Sequence, residues 1–274
     1  MASFTGEELK SVYKDILHTS NSNTGIGSTI KQITCGDGDT TALYLSDRNV
    51  KAKPSADSTT NTVIYDADGN ALLTVDSTND LVKAGIGQHT VNTQYAHFGF
   101  NAMDTTLGAG LSTLMSANTH YAIPFTNSGG FGASQIAIGT GTNPDTSFTL
   151  GGTGVEDDAS NLVLMYFYLC DNITVDRVVW FAGNQDNTGD TARCHLMSYD
   201  IDTGNGSTSG DLSSGIVVAD GADVVCGDDS QVHYQQMTIQ SADVNAGKVL
   251  LFTWRQDSVN GDFSIRATIK YHLR

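Results

Sequence analysis

From residue 161 to the C-terminus, short apolar runs alternate with polar breaks, and that spacing constrains the fold more than any other feature of the chain. The runs read LVLMYFYLC, ITVDRVVWFAG, ARCHLMSYDI, GIVVAD, VHYQQMTIQ, KVLLFTWRQ and FSIRATIKYHL, separated by loops of Asn, Asp and Gly. Their lengths and their β-branched and aromatic content fit strands rather than buried helices. Strand after strand at such spacing describes a β-sandwich, of the jelly-roll-like kind. In the last run Ile265, Ala267, Ile269 and Tyr271 alternate with Ser264, Arg266, Thr268 and Lys270, which predicts one buried face and one wet face. That terminal strand is expected to pair inside its sheet. Trp180 and Trp254 fall within these runs and are assigned to the core.

Composition carries the β reading to the whole chain. Gly, Ser, Thr, Asn and Asp together make up 130 of the 274 residues, and Asp outnumbers Glu by 27 to 3. These types favour turns and strands, while the strong exposed-helix formers are scarce, so the fold class is mostly β. One exception is residues 5–17, TGEELKSVYKDIL. Thr5 and Glu8 have the spacing of a capping box, and Leu9, Val12, Tyr13, Ile16 and Leu17 share one helical face. A short N-terminal helix of this length is marginal alone, so its apolar face needs the rest of the chain or another subunit. Those five residues are the candidate anchor or assembly element.

Residues 29–90 hold a near-repeat. DGDTTALYLSDRNVKA (37–52) and DGNALLTVDSTNDLVKA (68–84) share an Asp-Gly opening, an Ala-Leu strand start and a Val-Lys-Ala close. Two small β units follow, the second including a hairpin with Asp68-Gly69 at its turn. Such thin layers expose much of their apolar surface unless copies associate, and threefold association into a stalk would bury it. The expected division is an anchor and β-repeat stalk over 1–90 and a β-sandwich knob over 91–274. Within 91–160, glycine clusters alternate with aromatics. Tyr121, Phe125 and Phe131 are either packing for the rim of the knob or rings that stack on a glycan.

No enzyme motif is present. G-x-S-x-G, P-loop, dinucleotide and H-E-x-x-H patterns are all absent, so no catalytic residue is assigned. The seven histidines form no i,i+2 or i,i+4 pair, and Cys194 and His195, being adjacent on a strand, point to opposite faces. The four cysteines include no C-x-x-C and read as buried free thiols. No metal is assigned and no cofactor is expected, although DADGN (66–70), NQDNTGD (184–190) and CGDDSQ (226–231) offer the oxygen ligands that calcium uses. The net charge of -16 argues against nucleic acid as a partner. It is concentrated in residues 91–274, where 7 basic face 19 acidic side chains. No apolar run approaches the ~20 residues of a membrane helix, so membrane insertion is not expected. MASFTGEELK lacks the order of a secretory signal, and synthesis in a cytoplasm is the expectation.

LKSVYKDILHTSNSNTGI, followed by GDGDTTALYLS and the Val-Lys segment, resembles the N-terminal region of tail-fibre and head-fibre proteins of marine tailed bacteriophages. RVVWFAGNQDNTGDTARCHLMSYDIDTGNGSTSGDLSSGIVVADG and KVLLFTWRQDSVNGDFSIRATIKYHLR resemble the terminal β-sandwich knob of similar virion proteins. The resemblance covers about two thirds of the chain. It implies a structural virion protein made in the host cytoplasm, a homotrimer attached to phage capsid or tail proteins by its N-terminal part, with the knob outward. The chain is short for a complete tail fibre, which favours a capsid decoration, head fibre or short fibre. The alternative is a tail-fibre or fibre-adaptor protein whose knob binds host surface glycans.

Overall fold

The computed structural model describes residues 17–19, 26–35, 38–101, 116–125, 136–151, 159–184, 191–226, 230–257 and 263–274. The chain forms two compact units that divide between Val91 and Asn92. The expected N-terminal helix lies outside the described residues except for Leu17, which precedes the first strand and is exposed.

The first unit contains two four-stranded antiparallel sheets, each in chain order. One comprises β1 (His18–Thr19), β2 (Lys31–Thr34), β3 (Thr40–Leu45) and β4 (Val50–Ala52). The other comprises β5 (Thr62–Tyr65), β6 (Ala71–Asp76), β7 (Leu81–Ala84) and β8 (His89–Thr90). Side-chain oxygens build the turns. Asp66 accepts from the backbone N–H of Asp68 and Asn70, and Gly69 takes the left-handed φ of +84° that closes the β5–β6 hairpin. Ser46 Oγ accepts from the N–H of Arg48 and Asn49 between β3 and β4. Buried Asp76 accepts from Asn79 and, at 2.9 Å, from Lys83 Nζ; the lysine, ahead of the asparagine, holds its carboxyl down to about 2.

The sequence repeat is a repeat of pairing. Leu43, Tyr44 and Leu45 oppose Ala52, Lys51 and Val50, while Leu73, Thr74 and Val75 oppose Ala84, Lys83 and Val82. The second hairpin is one pair longer, Asp76 against Leu81.

The second unit is a β-sandwich. Its strands are β9 (Thr93–Asn101), β10 (Tyr121–Ile123), β11 (Phe167–Tyr168), β12 (Ile173–Asn184), β13 (Thr191–Ile201), β14 (Leu212–Asp220), β15 (Val224–Val225), β16 (His233–Gln236), β17 (Thr238–Ile239), β18 (Asp243–Val244), β19 (Lys248–Gln256) and β20 (Phe263–Leu273). One sheet runs β16-β12-β20-β9 with β18 on β12; the other runs β10-β19-β13-β14-β17 with β11 on β19 and β15 on β13. The antiparallel partnerships include β9 with β20, β10 with β19, β12 with β16 and β13 with β14. First strand meets last and second meets second-last, inward to a central hairpin, which is the order of an antiparallel ribbon rolled into a jelly roll. The terminal strand β20 is interior to its sheet, and Ile265, Ala267, Ile269 and Tyr271 face the core as the alternation predicts.

Between the sheets Trp180 meets Trp254 edge to face, with ring centroids 5.8 Å apart, beside Phe98, Leu196 and Phe252. A second apolar cluster covers the opposite face of the β19-β13 sheet, where Ile136, Ile138, Leu162 and Met165 pack over Met197, Tyr199, Val249 and Leu251. Both faces of β13 and β19 are therefore dry, and in β19 the stretch VLLF (249–252) is apolar without alternation.

Two strand expectations are corrected. LVLMYFYLC is not one strand. It is the end of a helical turn, α1 (Ala159–Leu162), then a 3-10 turn (Val163–Met165), then the two residues of β11. Leu162 and Met165, three apart, face the second cluster while Val163 and Leu164 face out, which is helical spacing rather than alternation. VHYQQMTIQ breaks at Met237, and its halves β16 and β17 join different sheets.

Candidate assembly interface

Residues directly opposed in a ladder share a face of the sheet. Across the second sheet of the first unit, Ile64, Leu73 and Ala84 form one row and Thr62, Val75 and Val82 the next. Across β3 and β4 the matching rows are Leu43 with Ala52 and Leu45 with Val50. The repeat thus writes the same apolar face twice. None of these ten residues is buried; Ile64 is 52% and Val50 74% exposed. Among the described residues of this unit only Ile33, Thr74 and Asp76 are buried. Small sheets with an uncovered apolar face are marginal in water, and contiguous exposed patches of this kind mark contact surfaces.

Of the residues singled out in the sequence, Leu17, Tyr121 and Phe125 fall among the described residues. Leu9, Val12, Tyr13, Ile16 and Phe131 lie outside the described residues, and Leu17 is exposed ahead of β1. Tyr121 is no loop aromatic. It sits in β10 within the core, and its hydroxyl accepts from the Ser116 N–H at 2.7 Å. Phe125 stacks on Phe167 at 4.8 Å and meets Phe98 edge-on at 5.3 Å, so both rings serve packing. The glycine-rich flanks disguised β10 as loop. Asp66 of DADGN is engaged in its own hairpin turn, and among the described residues no three His, Cys, Asp or Glu side chains are grouped to hold a metal ion. Cys194 and Cys226 are buried thiols, and desolvation raises both, Cys226 to about 12. Cys35 is half-buried and Cys170 exposed, a correction to the expectation of four buried thiols; Cys170 follows β11 on the sandwich edge.

The structure also assembles a polar cluster that no local pattern announces. His120 and His195 lie edge to face, ring centroids 4.9 Å apart, both fully buried on the outer side of the β19-β13 sheet. His120 Nε2 lies 3.1 Å from the Gly141 carbonyl, and His195 Nε2 lies 3.0 Å from Asp220 Oδ1 and 3.2 Å from Asn143 Oδ1. Each Nε2 faces an acceptor, which assigns the proton of the neutral ring to that nitrogen. Both Nδ1 atoms, and Oγ1 of Thr253 opposite His195, are buried without a partner. Asp220 is in turn gripped by Arg193 through both carboxylate oxygens. Burial, then the neighbouring His120, pushes His195 down to about 4; burial also lowers His120. The backbone of His120 exchanges hydrogen bonds with Gly139 and Ile138, so the pair pins the covering segment to the sheet.

No known protein family and no curated protein matches the sequence. Two solved structures overlap the chain weakly. One is of the Gx strain of infectious bursal disease virus, at 10% identity over 76% of this chain and 63% of that chain, with a TM-score of 0.24. The other is of the T13 IBDV viral particle, at 9% identity over 76% and 65%, with a TM-score of 0.19. The chain spans less than two thirds of either matched chain. Overlap this slight carries no weight for its role.

Proposed function

We propose that this chain is a non-enzymatic structural protein of a virus particle, whose first unit joins copies of the chain and whose jelly roll is displayed on the exterior. The apolar face repeated on the two small sheets carries the reading. Leu43, Leu45, Val50, Leu73, Val75 and Val82 stand at equivalent positions, Leu43 and Val50 exposed and the other four only half-buried by their own chain. Closed homo-oligomers bury such faces without specifying a second partner. The jelly-roll order is compatible, since viral capsid domains use it alongside lectins and cupins, but a fold alone does not choose among them. The resemblance to head-fibre and tail-fibre proteins of tailed phages supports a capsid decoration or short fibre of three copies. Concentration of negative charge in the second unit would keep displayed domains apart.

Light scattering on the full chain tests the reading. A mass three times the 29.0 kDa of the chain is expected. A monomer at tens of micromolar would overturn assembly through the first unit.

A further inference from the structure

We infer that the outer face of the β16-β12-β20-β9 sheet binds an acidic polysaccharide. The register sets the face. Tyr234, Phe181 and Arg266 lie in one row, and Arg177, Lys270 and Tyr95 in a parallel row four residues along. The remaining positions of these rows and the row between them, Gln236, Val179, Thr268, His97 and Gly99, add no carboxylate. So in a chain with 30 acidic and 14 basic residues these three rows of the face present three cations and no acid. The acids nearest along these strands are already engaged: Asp176 pairs with His272 at 2.9 Å and Asp243 with Arg274 at 3.0 Å.

The aromatic side chains give this face a second property. Phe181 and Tyr234 have ring centroids 5.0 Å apart and are each 48% exposed, and Tyr95 on the far strand is 59% exposed. Arg177 Nη2 donates to the Tyr234 hydroxyl at 3.4 Å, joining cation and ring. Half-exposed rings offer apolar faces to the C–H faces of sugars, and guanidinium groups bind carboxylates through paired hydrogen bonds. At ~4.8 Å between strands, the face spans about 14 Å, an extended platform rather than a pocket. Exposed rings interleaved with cations fit a chain of anionic sugars better than they fit the acidic surface of a second copy, which would leave the rings without a stated partner. The inference does not rest on self-association, because a monomer carries the same face.

Affinity electrophoresis of the full chain through gels containing polygalacturonate, with dextran as the neutral control, tests it. Retardation by polygalacturonate and not by dextran is expected, weakened at least tenfold in Phe181→Ala/Tyr234→Ala. Arg177→Ser/Lys270→Ser is expected to bind weakly and with a shallower salt dependence. All four side chains lie on the solvent face, and unchanged thermal unfolding will confirm intact variants. No retardation, equal retardation by dextran, or undiminished retardation of both variants would overturn the inference. So would salt-sensitive self-association, without polysaccharide, that these variants abolish, since that outcome assigns the face to a second copy.

Discussion

Replacing His195 by Gln should make the jelly roll less sensitive to acid. Gln can put an amide nitrogen where Nε2 now meets Asp220 and Asn143, and it removes the titrating ring. In the folded chain burial and His120 hold His195 at about 4, against 6.5 for a free imidazole. The folded pKa lies below the unfolded one, so the unfolded chain takes up the proton first as pH falls. The stability carried by the neutral ring is complete above 6.5 and drains away toward 4. At pH 5 the unfolded ring has been favoured over about 1.5 pH units, which at ~1.4 kcal/mol per unit is roughly 2 kcal/mol. His120, lowered by burial, adds to the loss in the same direction. Carboxyls with lowered values, such as Asp76, lose their contribution only as pH falls through 3.8 toward about 2, so the interval from pH 7 to 5 isolates the imidazoles. Urea unfolding followed by tryptophan fluorescence reads this unit alone, because Trp180 and Trp254 both lie between its sheets. The unsubstituted protein should lose about 2 kcal/mol or more across that interval, and His195→Gln should lose about 2 kcal/mol less. Equal losses would refute the argument from burial.

Gly215→Ala should destabilise the same unit by about 1–3 kcal/mol in that assay. A Cβ there would lie 2.5 Å from Tyr199 Cε1 and 2.8 Å from the Thr146 backbone, inside a packed cluster. With a thiol reagent under native conditions, Cys170 should react fast, whereas Cys194 and Cys226 should react only on unfolding. Fast reaction of Cys194 would contradict a sheet that is dry on both faces.

What the sequence makes legible depends on how far neighbouring residues decide the structure. Alternation in β20 and the Asp-Gly turn between β5 and β6 are local, and both are readable. The two hairpins are readable because their apolar positions recur with the turn between them. LVLMYFYLC misleads because a run buried on one helical side looks, by hydrophobicity alone, like a strand buried on both. Tyr121 misleads because β10 is three residues long and flanked by glycine-rich chain, so nothing nearby marks it as the partner of Trp254. The His120–His195 pair and the basic face arise only from register, since residues 75 positions apart, or on four separate strands, meet through ladders that no local window contains. Opposite faces for Cys194 and His195 follow from strand geometry alone: Cys194 packs between the sheets and His195 on the outer side.

Sedimentation velocity of the full chain beside Leu73→Asp/Val82→Asp tests the central claim most directly. Burying the exposed remainder of each apolar side chain on this face is worth roughly 1 kcal/mol per residue, and a buried unpaired carboxylate costs several times that. The account predicts an oligomer for the unsubstituted chain and a monomer for the variant, with the tryptophan fluorescence of the jelly roll unchanged. A monomeric unsubstituted chain, or a variant that sediments with the oligomer, would contradict it.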